Sequence, residues 1–293
     1  MSSRVTSQAL SQFLVVTGAS NREARRYLEK YKLLEPAIDA YFSEGGSRRS
    51  GANLSTGSIN TLFDRYKDPE SDEITEDGTV RLCGDLGVDL EDVVLLAVAY
   101  ELKSPHIGRW SKKGWVSGMK SLGCDTLDSL RNALPRLRDK LASDPPYFVA
   151  VYNYTFSLAR EEGQRSLALD SAMAYWELLI PFGLSGGALK HVSSSSSNVD
   201  MRHDNNHCDD TDVDMEDKES CDAGNGWSEK HTEWWFEFLR VKGSKGVSKD
   251  TWQMLPEFIR TIDDKFQQHD ATAAWPSTID DFVDWAKEKK LRA

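Results

Sequence analysis

The sequence predicts an all-α protein in two parts, a small three-helix bundle and a larger helical domain. Apolar residues recur three and four positions apart along most of the chain, which is the spacing of one face of an α-helix. Stretches in which apolar and polar residues alternate, as they do in half-buried strands, are few. Residues 46–57 are rich in glycine and serine, lie between the two helical regions and predict a flexible linker.

Residues 5–45 predict the small bundle, with three short helices. Leu10 and Phe13 lie one turn apart on the apolar face of the first helix. Tyr27 belongs to the apolar face of the second, and Pro36 suits the first turn of the third. Three helices in so short a segment enclose a small core, so we expect this bundle to be only marginally stable.

Residues 58–288 predict the larger domain, with a central helix between residues 89 and 103. The second half of that segment is almost continuously apolar, and a helix that is apolar on every side lies at the centre of a domain. Pro105 stops the helix, because the residue before a proline disfavours helical backbone angles. Further helices are predicted at residues 126–142, 146–160, 170–182, 232–242, 249–268 and 278–290.

Residues 183–226 interrupt the helical pattern. This segment contains paired glycines, five consecutive serines and an acidic run, with ten acidic and two basic residues between positions 200 and 222. Because it offers little apolar surface to bury, we expect a disordered insert. Most of the net charge of −11 lies in this insert, so the remainder of the chain is nearly neutral.

The composition argues against several functional classes. A net charge of −11 disfavours binding to nucleic acid, which requires a basic surface. No apolar run approaches the ~20 residues that cross a bilayer, and residues 1–6 do not begin a secretory signal, so we expect no membrane association. The four cysteines lack paired spacing, which is typical of reduced thiols in the cytoplasm or nucleus. We expect a monomer in those compartments.

Two segments of the sequence resemble metal sites, but only in part. Residues 68–79 carry acids at the first, third and fifth positions of a calcium loop, but Glu73 replaces the required glycine and Thr79 the final glutamate. The His and Cys residues between positions 203 and 221 lack the paired spacing of a zinc site. No nucleophile–base pair, phosphate-binding loop or metalloprotease motif is present. We therefore expect no metal, no cofactor and no catalytic residue.

A series of short motifs runs through the larger domain in a fixed order. They are Arg65-Tyr66-Lys67-Asp68-Pro69, Gly118-Met119, Leu122-Gly123-Cys124-Asp125, Tyr154-Thr155-Phe156, Ala172-Met173-Ala174-Tyr175-Trp176, Lys249-Asp250-Thr251-Trp252, Ala274-Trp275-Pro276 and Ile279-Asp280-Asp281-Phe282-Val283. Together they resemble the defective-in-cullin-neddylation family. The resemblance implies a UBA-like three-helix bundle linked to a potentiating-neddylation domain of degenerate EF-hand-like helix pairs. It also implies a non-catalytic scaffold that brings a cullin and the neddylation conjugating enzyme together.

The resemblance assigns the cullin-binding surface to Asp250, Ala274 and Asp280, which would hold the C-terminal winged-helix region of a cullin. Two carboxylates beside a small residue suit a basic, partly apolar partner, and their charge would mainly set the association rate and the orientation of docking. A purely structural alternative makes Asp250 a helix N-cap and Asp280 a first-turn acid. The structural and binding roles are compatible.

The resemblance further implies an apolar pocket that receives the acetylated N-terminal methionine of the conjugating enzyme. Such a pocket prefers an uncharged acetylated terminus to a charged amine. The matching positions are Leu95, Val98, Ala99, Leu102, Trp110, Trp115, Met119, Phe156 and Leu158. By residue type alone, each of them is better explained as part of a hydrophobic core. Leu102 and Trp110 stand where animal members carry phenylalanine, so the pocket shape is expected to differ.

UBA-like bundles often bind ubiquitin or its relatives through an apolar loop after the first helix. The matching loop here is Val15-Val16-Thr17-Gly18. Three alternatives to the scaffold function stay open at this point. The chain could be an adaptor for ubiquitin or a related modifier without a ligase role, an EF-hand-like calcium sensor, or an interaction protein whose working part is the acidic insert.

Overall fold

The computed structural model describes residues 7–17, 21–43, 54–192 and 226–292. Helices account for most of these residues, so the predicted all-α class is confirmed. The buried apolar side chains form two separate clusters, a small one before residue 44 and a large one after residue 54. None of the described helices is both long and apolar enough to span a bilayer.

The small bundle consists of three helices, the number that the sequence predicts. They are α1 (Ser7–Thr17), α2 (Asn21–Tyr31) and α3 (Leu34–Ser43). Their core is aromatic: Tyr41 contacts Phe13 and Tyr27 edge-on, with ring centroids 5.7 and 5.3 Å apart. This edge-to-face arrangement is the favourable one for aromatic rings.

The predicted loop after the first helix was wrong for three of its four residues. Val15, Val16 and Thr17 lie in the last turn of α1. The Thr17 hydroxyl donates a hydrogen bond to the carbonyl oxygen of Phe13 at 2.6 Å, a contact that the helical turn itself supplies. The Val16 side chain is 56% exposed. Gly18 lies outside the described residues.

The larger domain contains ten helices and four very short strands within its described residues. In chain order they are α4 (Thr56–Tyr66), β1 (Glu73–Ile74), α5 (Glu76–Leu86), α6 (Val94–Glu101), β2 (Trp110–Ser111), α7 (Lys112–Leu122), α8 (Leu127–Ser143), α9 (Pro145–Ala159), β3 (Ser166–Ala168), α10 (Leu169–Gly186), α11 (Glu229–Val241), β4 (Gly246–Ser248), α12 (Lys249–Thr261) and α13 (Ser277–Arg292).

The strands join helix–strand–helix units into pairs. Strand β1 pairs antiparallel with β2, which couples the α4–α5 unit to the α6–α7 unit. Strand β3 pairs antiparallel with β4, which couples α9–α10 to α11–α12. This is the arrangement of EF-hand pairs, as the resemblance implied. With only two or three residues in each strand, no alternating pattern exists for the sequence to reveal.

The loop that resembles a calcium site satisfies its polar groups internally. Asp68 accepts hydrogen bonds from the Glu70 amide at 2.7 Å and the Thr75 hydroxyl at 3.1 Å. These contacts, the Glu70 amide foremost, hold the pKa of Asp68 below its usual value. Asp72 forms an ion pair with Lys67 at 2.9 Å. Within the described residues, no group of three or more His, Cys, Asp or Glu side chains is placed to hold a metal ion.

Helix α6 lies at the centre of the larger domain, as predicted, and packs against α7, α8 and α9. Val94, Ala97 and Val98 are at most 1% exposed. The predicted start at residue 89 was wrong. The helix begins at Val94, and the preceding Asp92 carboxylate accepts a hydrogen bond from the Val94 amide at 2.9 Å, which satisfies one of the free amides of the first turn.

The acidic insert begins later than predicted. Helix α10 continues to Gly186, and Ala188 and Leu189 are at most 1% exposed, so the prediction was wrong for residues 183–192. The Ala188 amide donates to the carbonyl oxygen of Ala142 at 2.8 Å, which returns the chain to α8. Gly226 lies against His191, so the two ends of the segment meet. Residues 193–225 lie outside the described part of the chain.

Most other helix bounds match the prediction within a few residues, whereas the end of the linker and the end of α12 both come earlier than predicted. Ser55 caps α4 and accepts a hydrogen bond from the Ser58 amide, so the linker ends before the predicted residue 57. Helix α12 ends at Thr261 rather than 268, because Ile262 adopts extended backbone angles. The Asp263 carboxylate then accepts hydrogen bonds from following amides, which stabilise a turn instead of further helix.

The crossing of α6 and α7 depends on a glycine. A Cβ atom at Gly118 would lie 2.4 Å from the carbonyl oxygen of Glu101 and 2.6 Å from the Cα atom of Leu102. Gly118→Ala is therefore expected to lower the free energy of unfolding by about 1–3 kcal/mol, because the two backbones must separate. Urea denaturation measures this loss.

Gly84→Ala is the matched control. Gly84 lies in α5, is exposed, and a Cβ atom there would meet nothing within 4 Å. Alanine at that position should raise stability by up to about 1 kcal/mol, since it favours the helix without a clash. Equal effects of the two substitutions would contradict the proposed close crossing.

Candidate functional site

A groove of about 760 Å³ opens between α5, α6, α10 and the loop before β2. Its apolar lining is contributed by Val80, Leu90, Leu95, Leu96, Ala99, Ile107, Trp110, Leu158 and Leu178. Acidic residues surround it, namely Glu76, Glu91, Asp92 and Glu177. The site is therefore an apolar cavity with a negatively charged rim, which suits an apolar group attached to a basic or neutral chain.

Four of the nine predicted pocket residues line this groove: Leu95, Ala99, Trp110 and Leu158. The other five are at most 2% exposed and belong to the hydrophobic core without lining the groove. These are Val98, Leu102, Trp115, Met119 and Phe156. For these five, the structure agrees with the core interpretation that residue type alone favoured.

Sequence reasoning missed the most accessible part of the groove. Val80, Leu90 and Ile107 line it and are between 47% and 55% exposed. Large apolar side chains this exposed are the informative signal for a binding surface, but only a structure reveals their exposure. In the sequence they have the same residue types as the core.

The end of the groove is held rigidly at the β1–β2 pair. The Trp110 indole Nε1 donates to the Thr79 hydroxyl at 2.8 Å, and that hydroxyl donates to the carbonyl oxygen of Gly108 at 2.7 Å. The Trp110 ring also contacts Trp115 edge-on, with centroids 6.2 Å apart. These contacts restrict the Trp110 side chain to one orientation, so the groove is preformed.

One rim carboxylate is fixed by an arginine. Arg138 on α8 donates to both oxygens of Asp92, at 2.7 and 2.8 Å. Burial acts to raise the pKa of Asp92, but the hydrogen bonds from Arg138 and the Val94 amide outweigh it and lower the pKa below 3.8. The ion pair thus ties α8 to the beginning of α6 beside the groove.

Asp250 lies on a different part of the domain, in the first turn of α12, with its side chain exposed. The N-cap of this helix is Ser248, whose hydroxyl accepts a hydrogen bond from the Thr251 amide at 3.1 Å. The alternative that made Asp250 the N-cap was therefore wrong. Within the described residues, no hydrogen bond or ion pair engages the Asp250 carboxylate.

Ala274 and Asp280 flank the turn that leads into α13. Ala274 is exposed, and its neighbour Trp275 packs edge-on against Phe258 with ring centroids 5.6 Å apart. Asp280 lies in the first turn of α13, as the structural alternative predicted. Its side chain is 38% exposed and lies 3.0 Å from the Nε2 atom of His269.

Asp250 and Asp280 occupy equivalent positions, each in the first turn of its own helix. Each stands in the first turn of its helix, where the helix dipole stabilises a negative charge, and helices α12 and α13 pack against each other. The residues assigned to the cullin-binding surface thus lie on two adjacent helices and the turn that precedes the second. Each is accessible to a partner.

The sequence of the larger domain matches a protein family described as cullin binding over residues 129–285. Residues 7–48 match the UBA-like domain family. The defective in cullin neddylation protein 1 of Cryptococcus neoformans is 36% identical over 290 residues, covering 96% of this chain and 94% of that protein. The chain belongs to the defective-in-cullin-neddylation family.

Two other relatives are similar over different shares of their length. The protein of the same name from Mycosarcoma maydis is 29% identical over 342 residues, covering 98% of this chain and 97% of the relative. The human DCN1-like protein 4 is 30% identical over 220 residues, covering 75% of this chain and 60% of the relative. The cullin-binding match includes Asp250, Ala274 and Asp280, whereas most groove residues precede it.

The Asp92–Arg138 ion pair is expected to make the stability of the domain depend on pH. Because the pKa of Asp92 is lowered on folding, its contribution to stability is present above the ordinary value of 3.8 and is lost as the pH falls below it. Asp92→Asn keeps an acceptor for Val94 but removes the charge. We expect it to cost about 1 kcal/mol at pH 7, a modest value because Arg138 is 40% exposed and water screens the pair.

Urea unfolding at a series of pH values measures this contribution. The difference between the wild type and the variant should shrink as the pH falls below 3.8. The control is Asp89→Asn, an exposed neighbour on the same turn, which should have little effect at any pH. A pH-independent loss in the Asp92 variant would contradict the assigned ion pair.

Proposed function

We propose that this protein promotes cullin neddylation as an accessory scaffold. It would bind the C-terminal winged-helix region of a cullin and the N-terminus of the neddylation conjugating enzyme at the same time. The observation that carries the proposal is the match of residues 129–285 to the cullin-binding family. The relatives named for defects in cullin neddylation support the same pathway.

The cullin would bind at Asp250, Ala274 and Asp280. Both carboxylates are accessible, and the small Ala274 side chain lets a partner backbone approach closely. Ionised carboxylates form strong, short hydrogen bonds with Lys and Arg, so the complementary cullin surface is basic. Charge complementarity of this kind chiefly accelerates association and fixes the orientation of the complex.

The acetylated N-terminus of the conjugating enzyme would occupy the apolar groove. Leu95, Leu96 and Ala99 form an apolar floor beside Trp110. Such a floor stabilises a buried methionine side chain and its acetyl cap by removing both from water. The acidic rim would then favour basic residues further along the same peptide.

The proposed scaffold supplies proximity and no chemistry of its own. Cys83 and Cys124 are buried, and burial raises the pKa of each thiol, so neither suits a thioester relay. Holding the charged conjugating enzyme next to the cullin raises the effective concentration of the thioester near the acceptor lysine. It also favours productive orientations of the reacting groups.

The cullin-binding surface is tested by removing its two charges. Asp250→Asn combined with Asp280→Asn should weaken binding of a cullin C-terminal fragment by roughly tenfold or more, or ~1.4 kcal/mol, because two charge-assisted contacts are lost. Titration calorimetry measures the affinity. A transfer assay with purified activating enzyme, acetylated conjugating enzyme, modifier and cullin measures the rate, which should fall towards that without the protein.

The charge-matched control is Asp170→Asn combined with Glu229→Gln. Asp170 and Glu229 are also exposed first-turn acids, on α10 and α11. The control therefore loses the same charge and the same interactions with helix dipoles. Wild-type affinity in the Asp250 and Asp280 variant, or equal weakening in the control, would refute the assigned surface.

The groove is tested by placing a charge on its wall. Val80→Asp should weaken binding of an acetylated N-terminal peptide of the conjugating enzyme by about tenfold. The apolar end of the bound peptide would cover the new carboxylate and remove water from it, which is unfavourable. Val80 is 51% exposed, so the fold should tolerate this change. Fluorescence anisotropy with a labelled peptide measures the affinity.

Val241→Asp provides the control for the groove. Val241 is another exposed helical valine, 70% exposed at the end of α11, and it does not line the groove. Its variant should bind the peptide within about twofold of the wild type, a difference well below 1.4 kcal/mol. If both aspartate variants bound as well as the wild type, the peptide would have to bind elsewhere.

A further inference from the structure

His269 is a buried side chain next to the candidate cullin-binding surface. Its side chain is only 5% exposed and lies among Phe258, Trp275 and Asp280. The ring centroids are 6.1 Å from Phe258, in an edge-on contact, and 6.3 Å from Trp275. One imidazole therefore contacts the neighbour of Ala274 and also the first turn of α13.

The only hydrogen bond of this imidazole within the described residues is to Asp280. The Nε2 atom lies 3.0 Å from Asp280 Oδ1, whereas the Nδ1 atom is buried without a partner. Since a carboxylate oxygen can only accept, Nε2 must carry the proton and donate it. The aromatic packing fixes the ring, and the ring in turn fixes the carboxylate.

This contact engages one of the two carboxylate oxygens. Oδ1 accepts from His269, while the side chain remains 38% exposed. A carboxylate has lone pairs for several donors, so the second oxygen can accept from a partner cation. Asp250 has no comparable support within the described part of the chain. The two carboxylates of the surface therefore differ in how far they are preorganised.

We propose that His269 is a positioning residue of the cullin-binding surface. It holds Asp280 in the conformation that meets the cullin, and it ties that carboxylate to Trp275 beside Ala274. The inference rests on the proposed function, because it requires Asp280 to contact the cullin. A carboxylate that is already ordered loses less conformational freedom when the complex forms, so binding is tighter.

A purely structural role for His269 predicts a different outcome. The surroundings of the ring are aromatic, and its Nδ1 atom has no hydrogen-bond partner. If only shape mattered, phenylalanine would fill the same space and remove a buried unsatisfied polar atom, with no loss of function. The requirement for a donor at Nε2 separates the two roles.

The experiment uses the full chain with His269→Phe, which keeps an aromatic ring but removes the donor, and His269→Gln, which keeps an amide donor. The probe is a purified cullin C-terminal winged-helix fragment. His269→Phe should weaken binding by about fivefold, because the Asp280 side chain would then have to be ordered when the cullin binds. His269→Gln should stay within about twofold of the wild type, because its amide replaces the donor. Thermal unfolding of each variant confirms that it is folded.

Asp280→Asn, alone and combined with His269→Phe, completes a double-mutant cycle. When the Asp280 charge is absent, the phenylalanine should have little further effect on binding. Loss of affinity with Asp280→Asn but none with His269→Phe would overturn the positioning role and leave the surface intact. Equal losses with phenylalanine and glutamine would overturn it as well. Unchanged affinity with Asp280→Asn would overturn the cullin contact itself, and the inference with it.

Discussion

The larger domain depends on the burial of α6, a helix with apolar residues on every side. A helix of this kind is stable only when other elements remove it from water. Helices α7, α8 and α9 cover most of it, and α7 can approach closely only because Gly118 carries no side chain. Leu95 and Ala99 lie on the strip that these helices leave open. The groove thus lies along the uncovered side of the central helix. The helix that the core is packed around also lines the groove.

A set of stacked aromatic rings joins the groove side of the domain to the proposed cullin-binding side. Trp252, two residues after Asp250, stacks on Tyr152 of α9 and Trp176 of α10 with centroids 4.5 and 5.3 Å apart. The Trp252 indole also donates to the carbonyl oxygen of Tyr152 at 3.0 Å. Helix α10 contributes Leu178 to the groove. The proposed proximity mechanism would benefit from this rigidity, because a fixed separation keeps two bound partners in one relative orientation.

Sequence periodicity was sufficient to predict burial where a side chain is buried because of its position on an apolar helix face. Val94, in the helix that the apolar run places at the centre of the domain, is fully buried. Periodicity failed where contacts come from remote segments, as for Ala188, which is buried in a stretch with no apolar repeat and donates its amide hydrogen to the carbonyl oxygen of Ala142. It also could not separate groove from core, since Ile107 and Val98 are equally apolar. The motifs identified Asp280 but not His269, whose relevance arises from a contact that no local pattern encodes.

The groove presents two opposing electrostatic influences to a peptide terminus. The acidic rim attracts a positive charge, whereas the apolar floor requires that charge to be dehydrated. The polar groups near the floor already form hydrogen bonds within the protein: the single Ser104 hydroxyl lies within hydrogen-bond distance of the carbonyl oxygens of His106 and Arg109, and Thr79 donates to that of Gly108. An ammonium group at the apolar floor would lose its water shell, which is costly unless all of its hydrogen bonds are replaced. In the proposed complex, an acetylated terminus would avoid this cost, while basic residues further along the same peptide would stay hydrated beside the rim acids.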